Sequence, residues 1–216
     1  MPALNEKNDW SGGVIKLYNT LSNDYLYKVP SNNVIFLDNH DMTRIHSSLG
    51  ESIPKTKMAF AWLMTSRGIP QMYYGSEVLM KGISNPDGWV RLDFPGGWAG
   101  DKKNAFTEVG MTDQEKDFLH YVQLLGTYRK SSAALKTGEM MQYLPEDGLY
   151  VYFRYDKNQT IMCVMNTDNK SRNVNLSKYA ERTNAFKGGK ELISGNQIGA
   201  AFSIPAMSMQ VIELNK

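Results

Sequence analysis

The chain has 216 residues, 42% of them hydrophobic and 21% charged, with a formal net charge of +2. That length buries a sizeable core as one large or two small domains. So balanced a charge gives no reason to expect nucleic acid or an anionic membrane as partner, and no run of about 18 apolar residues suggests a transmembrane helix. The opening stretch Met1-Pro-Ala-Leu-Asn-Glu-Lys-Asn8 lacks the basic-then-apolar pattern of a signal peptide, and compartment stays open. In residues 12–27, Val14, Leu17, Tyr18, Leu21 and Tyr25 recur at helical spacing, and Pro30 ends the pattern. A strand over 33–38 follows, with Val34-Ile-Phe-Leu37 reading as buried on both faces. Past Gly50 a second helix is expected, with Pro54 in its first turn and Met58, Ala61, Trp62 and Thr65 on one face. Gly68 is placed to cap it, and Ile69-Pro-Gln-Met-Tyr-Tyr74 reads as another short buried strand. Residues 76–110 read as one long loop, too rich in aromatics (Trp89, Phe94, Trp98, Phe106) for disorder. Thr112-Asp-Gln-Glu115 is a capping box opening a helix whose apolar face is Phe118, Tyr121, Val122, Leu125 and Tyr128.

From about Ser131 the texture changes to short alternating runs at 139–144, 149–155, 159–166, 171–176, 190–194, 198–204 and 207–214. Regularly spaced short strands with no helix between them predict an antiparallel sheet or sandwich. The alternation in Leu149–Tyr155 is that of a half-exposed strand, and Tyr150, Tyr152, Phe153 and Tyr155 read as packing groups. Cys163, the single cysteine, reads as a buried thiol. The chain is therefore expected to be α/β plus all-β, divided as 1–132 and 133–216.

The chemistry gathers where the first strand ends, in Asp38-Asn-His-Asp41. Polar groups at the C-terminal end of a parallel strand are where barrels and open α/β sheets build their sites. Phe36-Leu-Asp-Asn-His-Asp41 resembles the signature closing the seventh barrel strand of the α-amylase family of glycoside hydrolases. Gly68-Ile-Pro-Gln-Met-Tyr-Tyr-Gly-Ser-Glu77 is similar to that family's eighth strand, and Asp87-Gly-Trp-Val-Arg91 keeps the Asp-x-x-x-Arg spacing after it. Arg91-Leu-Asp-Phe-Pro-Gly-Gly-Trp98 looks most like the neopullulanase and cyclomaltodextrinase branch, which cuts starch, pullulan and cyclodextrins.

The resemblance implies the end of a TIM barrel, about its last two β/α units, followed by an antiparallel β-sandwich. About 130 residues are too few for all eight barrel strands. It also implies a retaining mechanism, in which Asp41 is the carboxylate that distorts the sugar ring and stabilises oxocarbenium-like charge. His40 would donate to a hydroxyl of the same sugar, and an α-glucan is the implied substrate.

Asn39 either supports the turn or backs the site, Arg44 either clamps a neighbouring acid or covers a loop, and Asp87 with Arg91 is either a sugar-binding pair or a loop ion pair. Glu77 is expected to be structural, and Trp89 and Trp98 either stack on sugar or pack the loop. The motifs that carry the family's nucleophile and acid/base do not occur in these 216 residues, so the chain by itself is expected to be inactive. A non-catalytic α-glucan-binding fragment is the alternative. No cofactor is expected. The family often holds structural Ca²⁺, but no metal residue is assigned here. Strands 33–38 and 69–74, apolar on both faces with Ile35, Leu37 and Met72 turned inward, predict self-association.

Overall fold

The computed structural model describes residues 2–215. After a 3-10 turn at Pro2–Leu4, the first layer contains α1 (Ile15–Ser22), β1 (Val34–Phe36), α2 (Ile45–Ser48), α3 (Ile53–Thr65), β2 (Ile69–Gln71), α4 (Asp113–Ser131) and α5 (Ala133–Lys136). β1 and β2 pair in parallel, with Val34 opposite Ile69 and Phe36 opposite Gln71. The helix expected over 12–27 is shorter. Val14, Leu17 and Leu21 are buried, but the α-helix stops at Ser22 and a 3-10 turn, Asn23–Leu26, leaves Tyr25 exposed.

The strand faces correct two expectations. Val34 and Phe36 are 54% and 45% exposed, so β1 is not buried on both faces. Ile35 and Leu37 turn the other way, into the core formed with the helices. Side chains alternate along a strand, so the face that leans on α1 and α3 takes the odd residues and leaves the even ones bare. The expected inward set therefore reverses for Ile35 and Leu37, while Met72, just past the end of β2, is 40% exposed.

The second part consists of β3 (Glu139–Gln142), β4 (Leu149–Tyr155), β5 (Thr160–Asn166), β6 (Arg172–Asn175), α6 (Ala180–Thr183), β7 (Gly188–Glu191), β8 (Gln197–Ile198), β9 (Ala201–Ile204) and β10 (Ser208–Asn215). Six strands form one sheet in the order β3-β4-β5-β10-β7-β8, and β6 pairs with β9 over it. The seven expected strand regions are all present, with the 198–204 region split between β8 and β9. The run is nevertheless not free of helix, because Leu176–Thr183 coils through a 3-10 turn into α6.

β4 is not half-exposed either. Tyr150 and Tyr152 join the helix-side core, while Val151 and Phe153 join the core beneath β6 and β9. A tyrosine can be buried when its hydroxyl is partnered. Tyr150 donates to Gln142 Oε1 at 2.6 Å, and Tyr152 pairs with the Thr65 hydroxyl of α3. Cys163 is buried between them, as expected, and burial pushes its thiol up to about 12.

Two buried arginines fix α3 and the entry to β2. Arg129 of α4 donates to the carbonyls of Met64, Ser66 and Gly68 at 2.8, 3.2 and 2.7 Å. Arg154 of β4 donates to Thr65 O at 3.1 Å and Gly138 O at 3.0 Å. The last carbonyls of a helix have no intrahelical partner and carry partial negative charge, so both cations answer that need. Gly68 lies beyond the cap itself, which is Ser66. Its φ of +106° and the 2.7 Å that would separate a Cβ from Asn33 O explain the glycine, since the chain must turn tightly against β1. No helix among the described residues is long and apolar enough to cross a membrane.

Candidate active site

β1 and β2 run parallel, so their C-terminal ends open on the same side, and the turns that follow them meet there. Asp38, two residues beyond β1, is buried, and its Oδ2 accepts from Ile45 N and Ser76 Oγ, both at 2.8 Å. One carboxylate thus ties the turn after β1 to the turn after β2. Burial raises its pKa against those two hydrogen bonds and the nearby Arg44 charge.

Above this buried knot the chain turns outward. Asn39 Oδ1 accepts from Asp41 N at 2.9 Å, an Asx turn that presents His40 and Asp41 to solvent. His40 Nε2 lies 3.3 Å from Asp41 Oδ2. Arg91, from the long loop, donates through Nε to His40 O at 3.1 Å and through Nη2 to Asp41 Oδ1 at 3.1 Å. The same Nη2 reaches Asp87 Oδ1 at 3.2 Å. Residues 51 positions apart in sequence therefore meet in one exposed group holding an imidazole, two carboxylates and a guanidinium. Arg91 engages one oxygen of Asp41 and leaves the other beside the imidazole.

Arg44 is placed elsewhere. It is fully buried, donates through Nη1 to Tyr74 O at 2.7 Å, and sits 4.7 and 4.9 Å from the ring centroids of Tyr73 and Tyr74. Its Nε and Nη2 have no hydrogen-bond partner among the described residues, and neither does Oε2 of Glu77 nearby. Burial raises the pKa of Glu77 although the Arg44 charge opposes it. Arg44 thus belongs to the support beneath the exposed group.

Sequence reasoning left out Asp38, Ser76, Tyr73 and Tyr74 as supports. Only Asp38 carried a signal, a carboxylate directly after an apolar strand. Tyr73 and Tyr74 donate to Val90 O at 3.2 Å and Leu92 O at 2.8 Å, and Arg44 N donates to Gly82 O at 2.9 Å. These bonds hold the segment that carries Asp87 and Arg91. Among the described residues no group of three or more His, Cys, Asp or Glu side chains is gathered to hold a metal ion.

Residues 5–129 match the family model described as the α-amylase catalytic domain. The chain belongs to the α-amylase family. Residues 140–213 match the cyclo-malto-dextrinase C-terminal domain. A cyclomaltodextrin glucanotransferase of Bacillus sp. (strain 1011) is 32% identical over 149 residues, 69% of this chain and 18% of that enzyme. Alpha-amylase 3 of Dictyoglomus thermophilum is 29% identical, over 66% of this chain and 32% of that protein. The Geobacillus thermoleovorans α-amylase solved with acarbose superposes with a TM-score of 0.74 at 22% identity, over 93% of this chain and 43% of that one. AmyP solved with maltose gives 0.75 at 17%, over 98% and 47%.

The chain thus spans under a fifth of that glucanotransferase's length and under half of these solved α-amylase-family structures. Its α/β part is the terminal portion of a TIM barrel, followed by an antiparallel β-sandwich, and no closed barrel is present among the described residues.

Proposed function

We propose that the chain supplies one wall of an active site that cleaves α-glucosidic bonds in starch-like or cyclodextrin-like glucans with retention. The observation that carries this reading is the convergence of His40, Asp41, Asp87 and Arg91 at the C-terminal ends of two parallel strands. A carboxylate oxygen beside an imidazole N–H suits two adjacent sugar hydroxyls, one donating to Asp41 and one accepting from His40. As the glycosidic bond breaks, positive charge grows on the sugar, and the negative Asp41 stabilises that state more than the neutral substrate. Arg91 holds Asp41 in place and lets go of none of its geometry as charge develops, because Tyr73 and Tyr74 pin its loop. In this reading Asn39 shapes the turn, Asp87 steadies Arg91, and Arg44 braces the strand ends from below. We divide the chain into a barrel portion, 1–132, and a sandwich, 133–216. The cyclo-malto-dextrinase match of the second part supports the cyclomaltodextrinase or neopullulanase branch over other α-amylase types.

Retaining cleavage needs a nucleophile and an acid/base about 5–5.5 Å apart, and the family's motifs for them do not occur in these 216 residues. Reducing-sugar release by the chain alone from starch, pullulan or cyclodextrin should therefore equal a buffer blank. When the chain is joined to a segment carrying both motifs, activity should appear, and Asp41→Asn should lower kcat by more than about tenfold with a much smaller change in KM. An Asn variant that keeps most of kcat would reduce Asp41 to a turn residue. The second reading is a non-catalytic α-glucan-binding chain, which the exposed His40–Asp41–Arg91 group would also suit. Coding sequence upstream of Met1 that encodes neither motif would establish it over the first.

A further inference from the structure

Aromatic side chains in the long loop are expected to pack, yet Trp89 is 58% exposed. Its backbone has little freedom. Trp89 lies in a 3-10 turn, Asp87–Val90, whose last residue is fully buried. Tyr73 holds the carbonyl of Val90, and Tyr74 holds that of Leu92. Behind the turn, a Cβ at Gly82 would stand 2.2 Å from Trp89 O, so the two stretches of backbone lie in contact. A mobile loop can leave a tryptophan exposed because nothing fixes it. Here the backbone is fixed and the indole is uncommitted. The residues two places to either side, Asp87 and Arg91, both belong to the group around Asp41.

A glucopyranose ring has an apolar C–H face and a rim of hydroxyls. Carboxylate, imidazole and guanidinium groups answer the rim, and an exposed aromatic face answers the C–H side. We propose that Trp89 is a specificity-determining residue whose indole stacks on the glucose unit adjoining the one held by His40, Asp41 and Arg91. The proposal rests on the reading of that group as a sugar site. Stacking beside the point of cleavage would favour chains of two or more glucose units over free glucose. Trp98 serves as the internal comparison. It is 67% exposed, and its backbone N–H donates to Asp101, but it has no hydrogen bond to the Asp41 group.

The test is a titration of the 216-residue chain with maltoheptaose, followed by the indole and backbone N–H resonances of its four tryptophans and of residues 39–41. Expected is movement of the Trp89 indole signal together with the backbone signals of Asn39, His40 and Asp41, while Trp10, Trp62 and Trp98 stay still. Trp89→Ala should weaken binding about five- to tenfold with unchanged thermal unfolding, Trp89→Phe should restore most of it, and Trp98→Ala should bind as the parent does. Signals at 39–41 that move while Trp89 is silent, with Trp89→Ala binding normally, would overturn the stacking and leave the sugar site standing. Equal responses from Trp89 and Trp98 would also overturn it, as general aromatic adsorption. No response anywhere would overturn both the stacking and the site. A response at Trp89 with 39–41 silent would overturn the proposal as well, since the indole would then bind sugar away from the Asp41 group.

Discussion

At the scale of single residues, Asp38 bears on both stability and the site. Its buried oxygen serves Ile45 N and Ser76 Oγ, and burial lifts its pKa above the ordinary 3.8. A raised carboxyl pKa means that the folded chain binds more protons than the unfolded one between the two values. Stability from this residue is therefore highest below about pH 3.8, falls as pH rises through the folded value, and stays lower above it. Asp38→Asn keeps an acceptor oxygen and removes the charge. Relative to the parent, it should gain stability as pH rises through that window and then level off, as read from urea unfolding across a pH series. Asp38→Ala leaves a buried N–H and hydroxyl without their acceptor and should cost about 1–3 kcal/mol below about pH 3.8, and less as pH rises through the same window. A pH-independent difference between the Asn variant and the parent would show that Asp38 is ionised alike in both states. The sequence placed Asp38 at the strand end but did not show that it points inward while Asp41 points out. That division depends on Ser76, 38 residues away, being carried beneath the turn by β2.

At the scale of elements, α4 shows which local signals survive folding. Thr112 Oγ1 accepts from Glu115 N at 3.2 Å, and Glu115 Oε2 accepts from Thr112 N at 2.8 Å, so the capping box expected from four residues is formed. Burial works to raise the Glu115 carboxyl, but hydrogen bonds from Lys103 and Thr112 hold it below the usual value. Thr112→Ala should lower unfolding free energy by about 1 kcal/mol, and Thr112→Ser should come close to the parent, both measured by chemical denaturation. An alanine variant as stable as the parent would mean that packing of Phe118 and Tyr121 alone sets the start of α4. Caps and helix faces are legible because they depend on residues three or four apart. β4 departs from the half-exposed expectation for the opposite reason. Its alternation is real, but the second face is covered by β6 and β9 through Val174 and Ile204, from 20 or more residues further on.

For the whole molecule, one continuous core joins the two parts. Leu17, Phe60 and Phe118 from the helices share it with Tyr150, Cys163 and Val211 from the six-stranded sheet. The barrel portion and the sandwich should therefore unfold in a single transition. The bare side is the even-numbered face of β1 with Ile69, which lies opposite Val34, beside two strands that among the described residues each pair on one edge only. Unpaired edges and a contiguous apolar face favour association. We expect the chain to self-associate through that face. Light scattering over a concentration series should give a mass that rises above 24.4 kDa, and Val34→Lys with Phe36→Glu should suppress the rise. A clean monomer at high micromolar concentration would show that the face is covered by other means.

The order of elements, the start of α4, the seven strand regions and the motifs that define the family were determined by the sequence itself, because each is encoded within about ten neighbouring residues. Tertiary structure decided which face of β1 is bare, that β4 is covered on both sides, that Arg44 goes inside, and that Arg91 comes to Asp41 across fifty positions. A periodic pattern specifies which side chains share a face but not what will cover that face. That choice belongs to packing between distant segments, where burial of a charged Arg44 becomes affordable only once Tyr73, Tyr74 and Asp38 have been brought around it.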